Sequence, residues 1–295
     1  MTEPMTDKTH DVTVLGSLNL DVIIGVERVP GAGETVLATG RDRGAGGKGL
    51  NQAVAVARAG AGTVMLGAVG TDDAARLLLD TAAAAEVDVS GVRHLPGATG
   101  TAWVMVQADG DNAIVVDGAA NSGLDALDDA ERETVAAGIV LVAQLETPLS
   151  AVIEAATSAR AAGVRFVLNA APARALPDDL LALVDVLVVN EHEALHLTDG
   201  QQATVGALVI TLGADGARVV DAHGERSVPG VPADVVDTTG AGDTFTGYLA
   251  AALATGATLD QACARAVVAG ALAVETSGAT QSIPTAAQVD ARAAQ

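Results

Sequence analysis

Residues 165–197 read RFVLNAAPARALPDDLLALVDVLVVNEHEALHL. Two apolar runs, RFVLNA and DVLVVN, are typical of strands, and each precedes a segment of helical composition, first DDLLALV and then EHEALHL. Strands that alternate with helices form a parallel sheet covered by helices on both faces. This stretch therefore predicts an α/β fold with a mostly parallel central sheet.

The same alternation continues on both sides of this stretch. Upstream, strands are predicted at DVTVLGSL, TVMLGAVG and GIVLVAQL, and helices at LNQAVAVARAG, DDAARLLLDTAAAAE and LSAVIEAATSARAAG. Downstream, a strand is predicted at ALVITLG, and helix from Gly242 to about Ser277 with a break near Gly256. Without an internal repeat or a low-complexity linker, we expect one domain over residues 1–295.

Two stretches depart from the alternation. Residues 22–40 and 100–120 have the pattern of β-hairpins, the second with its turn at Asp109–Asp111. Hairpins inserted into an α/β chain often form a flap at the edge of the fold, so these two predict a lid.

Composition narrows the classes of partner. The chain has 295 residues, 49% hydrophobic and 1% aromatic, so its core is built of small aliphatic side chains. A net charge of −21 repels nucleic acids and anionic membranes.

The single cysteine, Cys263, excludes an internal disulfide. The N-terminus is polar and the apolar runs are too short to cross a bilayer, which predicts a cytoplasmic protein.

The segment Asp237–Asp243 reads DTTGAGD and precedes an apolar helical run. Glycines allow backbone N–H groups to turn toward a ligand, and at a helix start those groups lack partners while the helix dipole is positive. Gly240, Ala241 and Gly242 could therefore hold a phosphate, and Asp243 could take a proton from an attacking hydroxyl. The alternative is that Asp243 only caps the helix.

Residues 44–53, GAGGKGLNQA, match G-x-G-x-x-G at Gly44, Gly46 and Gly49. A dinucleotide-binding domain places this motif after its first strand, and here GSLNLD follows that strand instead. The P-loop pattern also fails, because Gly49 stands where Ser or Thr is needed. The remaining interpretations are a glycine-lined ligand surface with Lys48 and Asn51 as polar contacts, or a solvated loop before a helix.

His192-Glu193-Ala194-Leu195-His196 matches H-E-x-x-H, the zinc-protease helix. Two histidines four residues apart would share a helix face, which keeps a zinc hydrolase as an alternative, but zinc needs a third ligand. The same stretch contains Asn190-x-x-Glu193. This spacing predicts either a capping box or a carboxylate beside a magnesium-bound phosphate.

Residues 211–216, TLGADG, follow a predicted strand. Glycine-rich turns at the carboxyl ends of parallel strands are where open α/β sheets bind nucleotides. The alternative is that this stretch is only a hairpin turn.

Taken in order, these motifs resemble one family. GSLNLD, GGKGLNQA, QLETP, NEHE, ITLGADG and DTTGAGDTFTG follow one another along nearly the whole chain, as in the ribokinase family of carbohydrate kinases. The resemblance implies a three-layer α/β/α sandwich with a small β-sheet lid from about residues 19–45 and 98–120. It implies transfer of the ATP γ-phosphoryl group to the 5-hydroxyl of D-ribose.

The resemblance also assigns site residues. Asp243 would be the catalytic base, with Gly240, Ala241 and Gly242 as the anion hole. The sugar would be bound by Asn19, Asp21, Gly47, Lys48, Asn51, Glu146 and Asp243. Asn190 and Glu193 would position Mg²⁺ and phosphate, and ATP would contact Thr211, Leu212, Gly213, Ala214, Asp215, Gly216 and Gly242. A monovalent cation, K⁺, would bind Asp237, Thr239, Ala273, Thr276, Gly278 and Ser282.

The resemblance further implies a homodimer, and it leaves the sugar open. A kinase acting on adenosine or on a different sugar is the alternative within the family, and a nucleotide-binding protein without catalysis is another. Two positions depart from the family pattern. The connection from Asn190 to Ala207 is short, and Val267 stands about where relatives carry a polar residue near the nucleotide.

Overall fold

The computed structural model describes residues 8–107, 112–202 and 204–294. These residues form thirteen strands: β1 (Val12–Leu15), β2 (Asn19–Val26), β3 (Ala38–Gly46), β4 (Thr63–Val69), β5 (Asp88–His94), β6 (Gly100–Val106), β7 (Asn112–Asp117), β8 (Val140–Ala143), β9 (Arg165–Asn169), β10 (Val186–Asn190), β11 (Ala207–Thr211), β12 (Gly216–Asp221) and β13 (Gly224–Pro229).

Ten α-helices connect them in the same described residues: α1 (Lys48–Arg58), α2 (Asp73–Ala84), α3 (Asp129–Ala137), α4 (Leu149–Ala161), α5 (Asp178–Leu181), α6 (Glu191–Ala194), α7 (Asp199–Gln202), α8 (Ala241–Ala254), α9 (Leu259–Ala273) and α10 (Ala286–Ala293). None of the described helices is long and apolar enough to cross a membrane.

Nine strands form the central sheet, in the order β13-β12-β11-β10-β9-β8-β1-β4-β5. The seven from β11 to β5 run parallel, and β12 and β13 add an antiparallel edge. The predicted mostly parallel sheet is confirmed. Strands β5, β12 and β13 were not predicted.

Alternating side chains of each central strand feed two separate hydrophobic cores. In β8, Val140 and Val142 join one core while Leu141 and Ala143 join the other. Helices α1, α2, α8 and α9 cover the first face, and α3, α4 and α5 cover the second. Because a strand places successive side chains on opposite faces, these runs must be apolar throughout, and the three-layer sandwich follows.

The two predicted hairpins form a second sheet of four strands, which we call the small sheet, in the order β3-β2-β6-β7. β2 pairs antiparallel with β3, β6 pairs antiparallel with β7, and β2 and β6 run parallel from Asn19 opposite Gly100. Trp103 lies in β6 opposite Val22. The turn predicted at Asp109–Asp111 lies outside the described residues.

Several predicted boundaries were wrong. The helix predicted over DDLLALV ends after one turn, at Leu181. The first strand ends at Leu15 rather than near Leu18, because the chain leaves the central sheet there and enters β2 at Asn19. The helix predicted over EHEALHL ends at Ala194, and a second single turn, α7, follows. The short connection to Ala207 therefore carries two one-turn helices in place of one longer helix.

Polar residues gather where the central strands end. Asn169 and Asn190 are the last residues of β9 and β10, and Thr211 is the last of β11. Ser17 follows β1 and Glu146 follows β8. Since parallel strands all end at one edge of the sheet, that edge is where an open α/β sheet binds its ligands.

Candidate active site

The N-terminus of α8 opens onto this edge. Gly240 precedes the helix with a left-handed backbone (φ 75°), and no side chain caps the helix. The N–H groups of Gly242 and Asp243 find no partner in the described part of the chain. Gly240 and Gly242 line a cavity of about 220 Å³. The unpaired N–H groups therefore face open space, as an anion site at a helix start requires.

The Asp243 side chain turns away from a capping position. Its Oδ2 accepts a hydrogen bond from Asn51 Nδ2 at 3.0 Å, and its Oδ1 accepts one from Gln52 Nε2 at 2.9 Å. The side chain is buried and lines the same cavity. The interpretation of Asp243 as a cap is wrong, and its carboxylate lies beside the unpaired N–H groups that open α8.

Glu146 organises the opposite wall of the site. Its Oε2 accepts hydrogen bonds from the Ser17 hydroxyl at 2.6 Å and the Lys48 backbone N–H at 3.1 Å, and Asn19 Nδ2 lies 3.5 Å away. The Asn121 amide ties the start of the small sheet to this wall, because its Nδ2 donates to Asn19 Oδ1 at 2.8 Å.

Four carboxylates and one ammonium group interact electrostatically at the site. Burial, and then repulsion from Glu146 and Asp243, raises the pKa of Asp21 to about 7. The negative charge of Asp243 raises the pKa of Lys48 although burial opposes the rise, and Glu146 and Glu193 add to it. A neutral ligand rich in hydroxyl groups suits this arrangement, because carboxylates and amides pair with hydroxyls.

Two glycines of the GAGGKGLNQA segment make close approaches possible. A Cβ at Gly46 would lie 2.0 Å from Asp21 Oδ2, and one at Gly47 (φ 93°) would lie 2.7 Å from the Asn19 backbone nitrogen. The segment therefore holds Lys48 and Asn51 tightly against the Asn19–Asp21 strand, and the alternative of a solvated loop is wrong.

A larger cavity of about 520 Å³ adjoins the anion site. It shares Thr211, Thr238 and Gly242 with the smaller cavity. The predicted residues Thr211, Gly213, Ala214, Gly216 and Gly242 line it, together with Gly230, Val231, Pro232, Ala233, Val235, Thr238, Ala241, Phe245, Val267, Gly270, Ala271 and Val274. Its lining is mostly apolar, as the pocket of a flat aromatic base should be.

Leu212 and Asp215 do not line this cavity, in contrast to the prediction. Leu212 packs against the second core, and Asp215 is exposed in the turn. The TLGADG stretch forms the turn between the antiparallel strands β11 and β12, so the hairpin interpretation is confirmed, and part of the same stretch lines the cavity. Val267 lies in the cavity wall and offers no polar group there.

Asn190 and Glu193 form a capping box at the start of α6. Asn190 Oδ1 accepts from the Glu193 N–H, and Glu193 Oε2 accepts from the Asn190 N–H, both at 2.8 Å. Both residues also line the smaller cavity. The cap leaves Glu193 Oε1 without a partner among the described residues, so this carboxylate can serve the site as well.

The zinc interpretation of the same stretch is wrong. Helix α6 ends at Ala194, so His192 and His196 do not share a helical face. No group of three or more His, Cys, Asp or Glu side chains that could hold a metal exists in the described ranges.

The predicted cation residues lie in two neighbouring loops. Asp237 accepts hydrogen bonds from the Gly278 and Thr239 N–H groups, each at 2.9 Å, and its own N–H donates to the Val274 carbonyl. Burial opposes ionisation of Asp237, but these hydrogen bonds outweigh it and lower its pKa. The Ser282 hydroxyl donates to Ala279, and the Ala273 carbonyl accepts from Thr276.

This loop pair offers one carboxylate together with backbone carbonyl and hydroxyl oxygens. Such an all-oxygen set fits a hard cation rather than a transition metal. Asp237 and Gly278 are in contact between the two loops, and Ser282 lies on the same segment as Gly278.

Several site residues had no recognised signal in the sequence. Gln52, Gln144 and Asn169 form a buried amide chain that reaches Asp243, and the Thr280 hydroxyl lies 3.0 Å from Asn51 Oδ1. Gln52 directly follows Asn51 in the GAGGKGLNQA segment, and that adjacency could have drawn attention to it.

Known proteins of one family are similar to this chain. The family model for pfkB family carbohydrate kinases matches residues 9–286. The chain is 38% identical over 291 residues to a ribokinase of Haemophilus influenzae, covering 93% of this chain and 95% of that protein.

Solved structures show the same likeness. Arabidopsis thaliana ribokinase complexed with ribose and ATP superposes with a TM-score of 0.89 at 31% identity, covering 96% of this chain and 98% of that one. Cryptococcus neoformans ribokinase in complex with ADP superposes with a TM-score of 0.81 at 30% identity, covering 96% of this chain and 100% of that one.

Proposed function

Because the chain belongs to the pfkB family of carbohydrate kinases, we propose that it transfers the γ-phosphoryl group of ATP to the 5-hydroxyl of D-ribose. The products are D-ribose 5-phosphate and ADP. One observation carries the proposal: the Asp243 carboxylate lies beside the unpaired N–H groups that open α8. A proton acceptor and an anion site in one cavity are what phosphoryl transfer to an alcohol requires.

The reaction follows from this juxtaposition. The 5-hydroxyl oxygen of ribose forms a bond to the γ-phosphorus, and its proton passes to Asp243. The bond between that phosphorus and the bridging oxygen breaks, and ADP keeps the electron pair. Meanwhile the N–H groups of Gly242 and Asp243 stabilise the negative charge on the transferring group.

The sugar is bound between the small sheet and α1. Asn19 and Asp21 approach from β2, Lys48 and Asn51 from α1, and Glu146 from the turn after β8. None of these five is an arginine, which suits a neutral sugar better than a phosphorylated one. We propose that the small sheet acts as a lid that keeps water from competing with ribose as the acceptor.

ATP would occupy the 520 Å³ cavity, with its phosphates toward Gly242. Asn190 and Glu193 would hold Mg²⁺, largely through the water ligands of the ion. The ion would supply positive charge to the phosphates. K⁺ would bind among Asp237, Thr239, Ala273, Thr276, Gly278 and Ser282 and would order the loop before α8. A cytoplasmic location is proposed with this function, because its co-substrate is ATP.

We also propose a homodimer formed through the small sheet. Strand β7 is an edge of that sheet, and its Ile114, Val115 and Val116 are exposed. Exposed apolar residues on an unpaired edge strand favour association with a second strand.

A rate panel tests the substrate. ADP release is measured with ribose, fructose, 2-deoxyribose and adenosine as acceptors, and kcat/KM for ribose should exceed the others by at least about tenfold, since a site built around hydroxyl groups rejects analogues that leave its polar groups unpaired. Equal or faster turnover of adenosine would establish the nucleoside alternative. Binding of ATP without any acceptor-dependent ADP release would establish a nucleotide-binding protein without catalysis.

A further inference from the structure

Behind the sugar-binding residues, a chain of three buried amides ends on the Asp243 carboxylate. Gln52 Nε2 donates to Asp243 Oδ1 at 2.9 Å and to Asn169 Oδ1 at 3.1 Å. Gln52 Oε1 accepts from Gln144 Nε2 at 2.7 Å. Both donor hydrogens and the acceptor of the Gln52 amide are thus committed, and Gln52 and Gln144 are each 0% exposed.

The orientations of the Gln52 and Gln144 amides follow from the charge of Asp243, while Asn169 is also oriented by its Nδ2, which donates to the Val188 carbonyl at 3.3 Å. An ionised carboxylate accepts hydrogen bonds but donates none, so Gln52 must turn its nitrogen toward Asp243. Its oxygen then faces Gln144, which must also present its nitrogen. The last oxygen, Gln144 Oε1, is left buried without a partner among the described residues. It lies where a Cβ on Gly16 would be only 2.1 Å away, so Gly16 leaves room for it.

An unpaired buried oxygen at the far end is the cost of orienting the whole chain toward the carboxylate. A glutamine that merely filled space would not require a second glutamine, Gln144, with an unsatisfied acceptor. The arrangement therefore points to a requirement at Asp243 rather than to packing.

Two amides hold the two oxygens of Asp243 separately. Asn51 donates to Oδ2 and Gln52 donates to Oδ1. With Asn51 alone, the carboxylate could rotate about its Cβ–Cγ bond while keeping one hydrogen bond. With both amides, the plane of the carboxylate is fixed, and so is the direction of the lone pair that would receive the ribose proton.

We propose that Gln52 is a positioning residue for the proton acceptor Asp243. Gln144 and Asn169 hold the Gln52 amide in the orientation that donates to Asp243. The proposal rests on the ribose kinase activity proposed above. Because Gln52 is fully buried, it cannot contact ribose or ATP. Its effect must reach the reaction through Asp243 and must appear in the chemical step rather than in substrate binding.

The test replaces Gln52 by methionine, which keeps the length of the side chain and removes both donors. Single-turnover rates and steady-state constants are measured for the wild-type and Q52M proteins. We expect the single-turnover rate to fall by about 100-fold, as for other small displacements of a reacting group. KM values for ribose and ATP should stay within about threefold of wild type, because no contact to either substrate is lost.

Two further variants separate positioning from stability. Q144M leaves both Asp243 hydrogen bonds in place but frees the far end of Gln52, and we expect a smaller loss of about three- to tenfold. Thr13→Val removes a buried hydroxyl that hydrogen-bonds His10, away from the site, and should lower the melting temperature without lowering kcat. If Q52M does not fold, the comparison of Q144M with Thr13→Val decides the matter.

The outcomes are distinct. A single-turnover rate for Q52M within threefold of wild type, or a loss confined to the KM for ribose, overturns the positioning role. The positioning role is also overturned if Thr13→Val and Q144M lower kcat equally at an equal loss of stability. Absence of ribose phosphorylation by the wild-type protein would instead overturn the proposed function.

Discussion

The Asn51 amide nitrogen and a carboxylate oxygen of Asp243 lie 3.0 Å apart, although the two residues are 192 positions apart in the chain. The contact joins α1 to α8 and brings two separate motifs of the sequence into one site. Asp243 is thereby held by neutral donors rather than by an ion pair, which leaves its negative charge available to accept a proton.

Asp243→Asn should abolish most turnover while the protein stays folded. An asparagine has the same shape and can still accept one of the two hydrogen bonds from Asn51 and Gln52, but it cannot take the proton of the acceptor hydroxyl. We expect kcat to fall by about 10²- to 10⁴-fold, the usual contribution of a general base, with ATP affinity retained. Calorimetric ATP binding and initial rates measure both. Asp73→Asn, at an exposed position in the first turn of α2, is the matched control. Turnover comparable to wild type in the Asp243 variant would remove the assigned role.

Two glycines at the start of α8 should respond differently to alanine. A Cβ at Gly242 meets no atom within 4 Å, so Gly242→Ala should fold and gain about 0.5 kcal/mol from the lower backbone entropy of the unfolded chain. The new methyl group would stand in the phosphate site, so kcat should drop severalfold or more. Gly240→Ala meets the Ala279 backbone at 3.1 Å with φ 75° and should cost about 1–2 kcal/mol of stability. Denaturant melts and rates for both variants provide the comparison, and equal effects would contradict it.

The stability of the free protein should depend on Asp21. Its pKa is about 7 in the folded protein, against 3.8 for the unperturbed group. Between these two values the folded protein holds a proton that the unfolded chain has released, so this group makes the free energy of unfolding fall as pH rises. Asp21→Asn should therefore stabilise the protein near pH 8 by up to about 4 kcal/mol and have little effect near pH 4. Ribose affinity should fall at the same time.

Urea titrations at both pH values measure the effect of Asp21→Asn on stability. Asp80→Asn, on the exposed face of α2, is the control for removing one acid from a very acidic chain. A stabilisation of equal size at both pH values would show that general charge repulsion, and not the site, is responsible.

Potassium should activate the enzyme more than a bulky monovalent cation of equal ionic strength. The loop before α8 is tied to the segment around Gly278 through Asp237, and a small cation among their oxygens would hold the anion site in order. Rates in potassium chloride and tetramethylammonium chloride give the ratio. In Asp237→Ala the ratio should approach one, whereas Asp234→Ala, exposed in the same loop, should keep it. If the wild-type rate does not depend on the cation, the proposed cation site around Asp237 is refuted.

Much of the site could be predicted because its motifs are local. The Asp243 carboxylate, the glycines before it and the Lys48–Asn51 segment each lie in a short run whose residue types suggest their chemistry. The amide chain could not be predicted, because Gln52, Gln144 and Asn169 meet only through the packing of a helix against two strand ends. A buried glutamine has no spacing that distinguishes it from an exposed one.

The strands and helices likewise divide into those that the sequence predicts and those that it does not. Strands buried on both faces stand out as continuous apolar runs, whereas β5 and β13 lie at the sheet edges with charged and polar residues and were missed. The helix over EHEALHL was predicted too long because its capping box marks a start and nothing local marks its end.

Trp103 is the only tryptophan of the chain, and it lies in the small sheet, 38% exposed. Fluorescence excited selectively at this indole therefore originates in the proposed lid, while the central sheet and its helices contribute no signal. A spectroscopist can follow the small sheet in the native protein, without any attached dye, by watching emission intensity and colour as sugar or nucleotide is added.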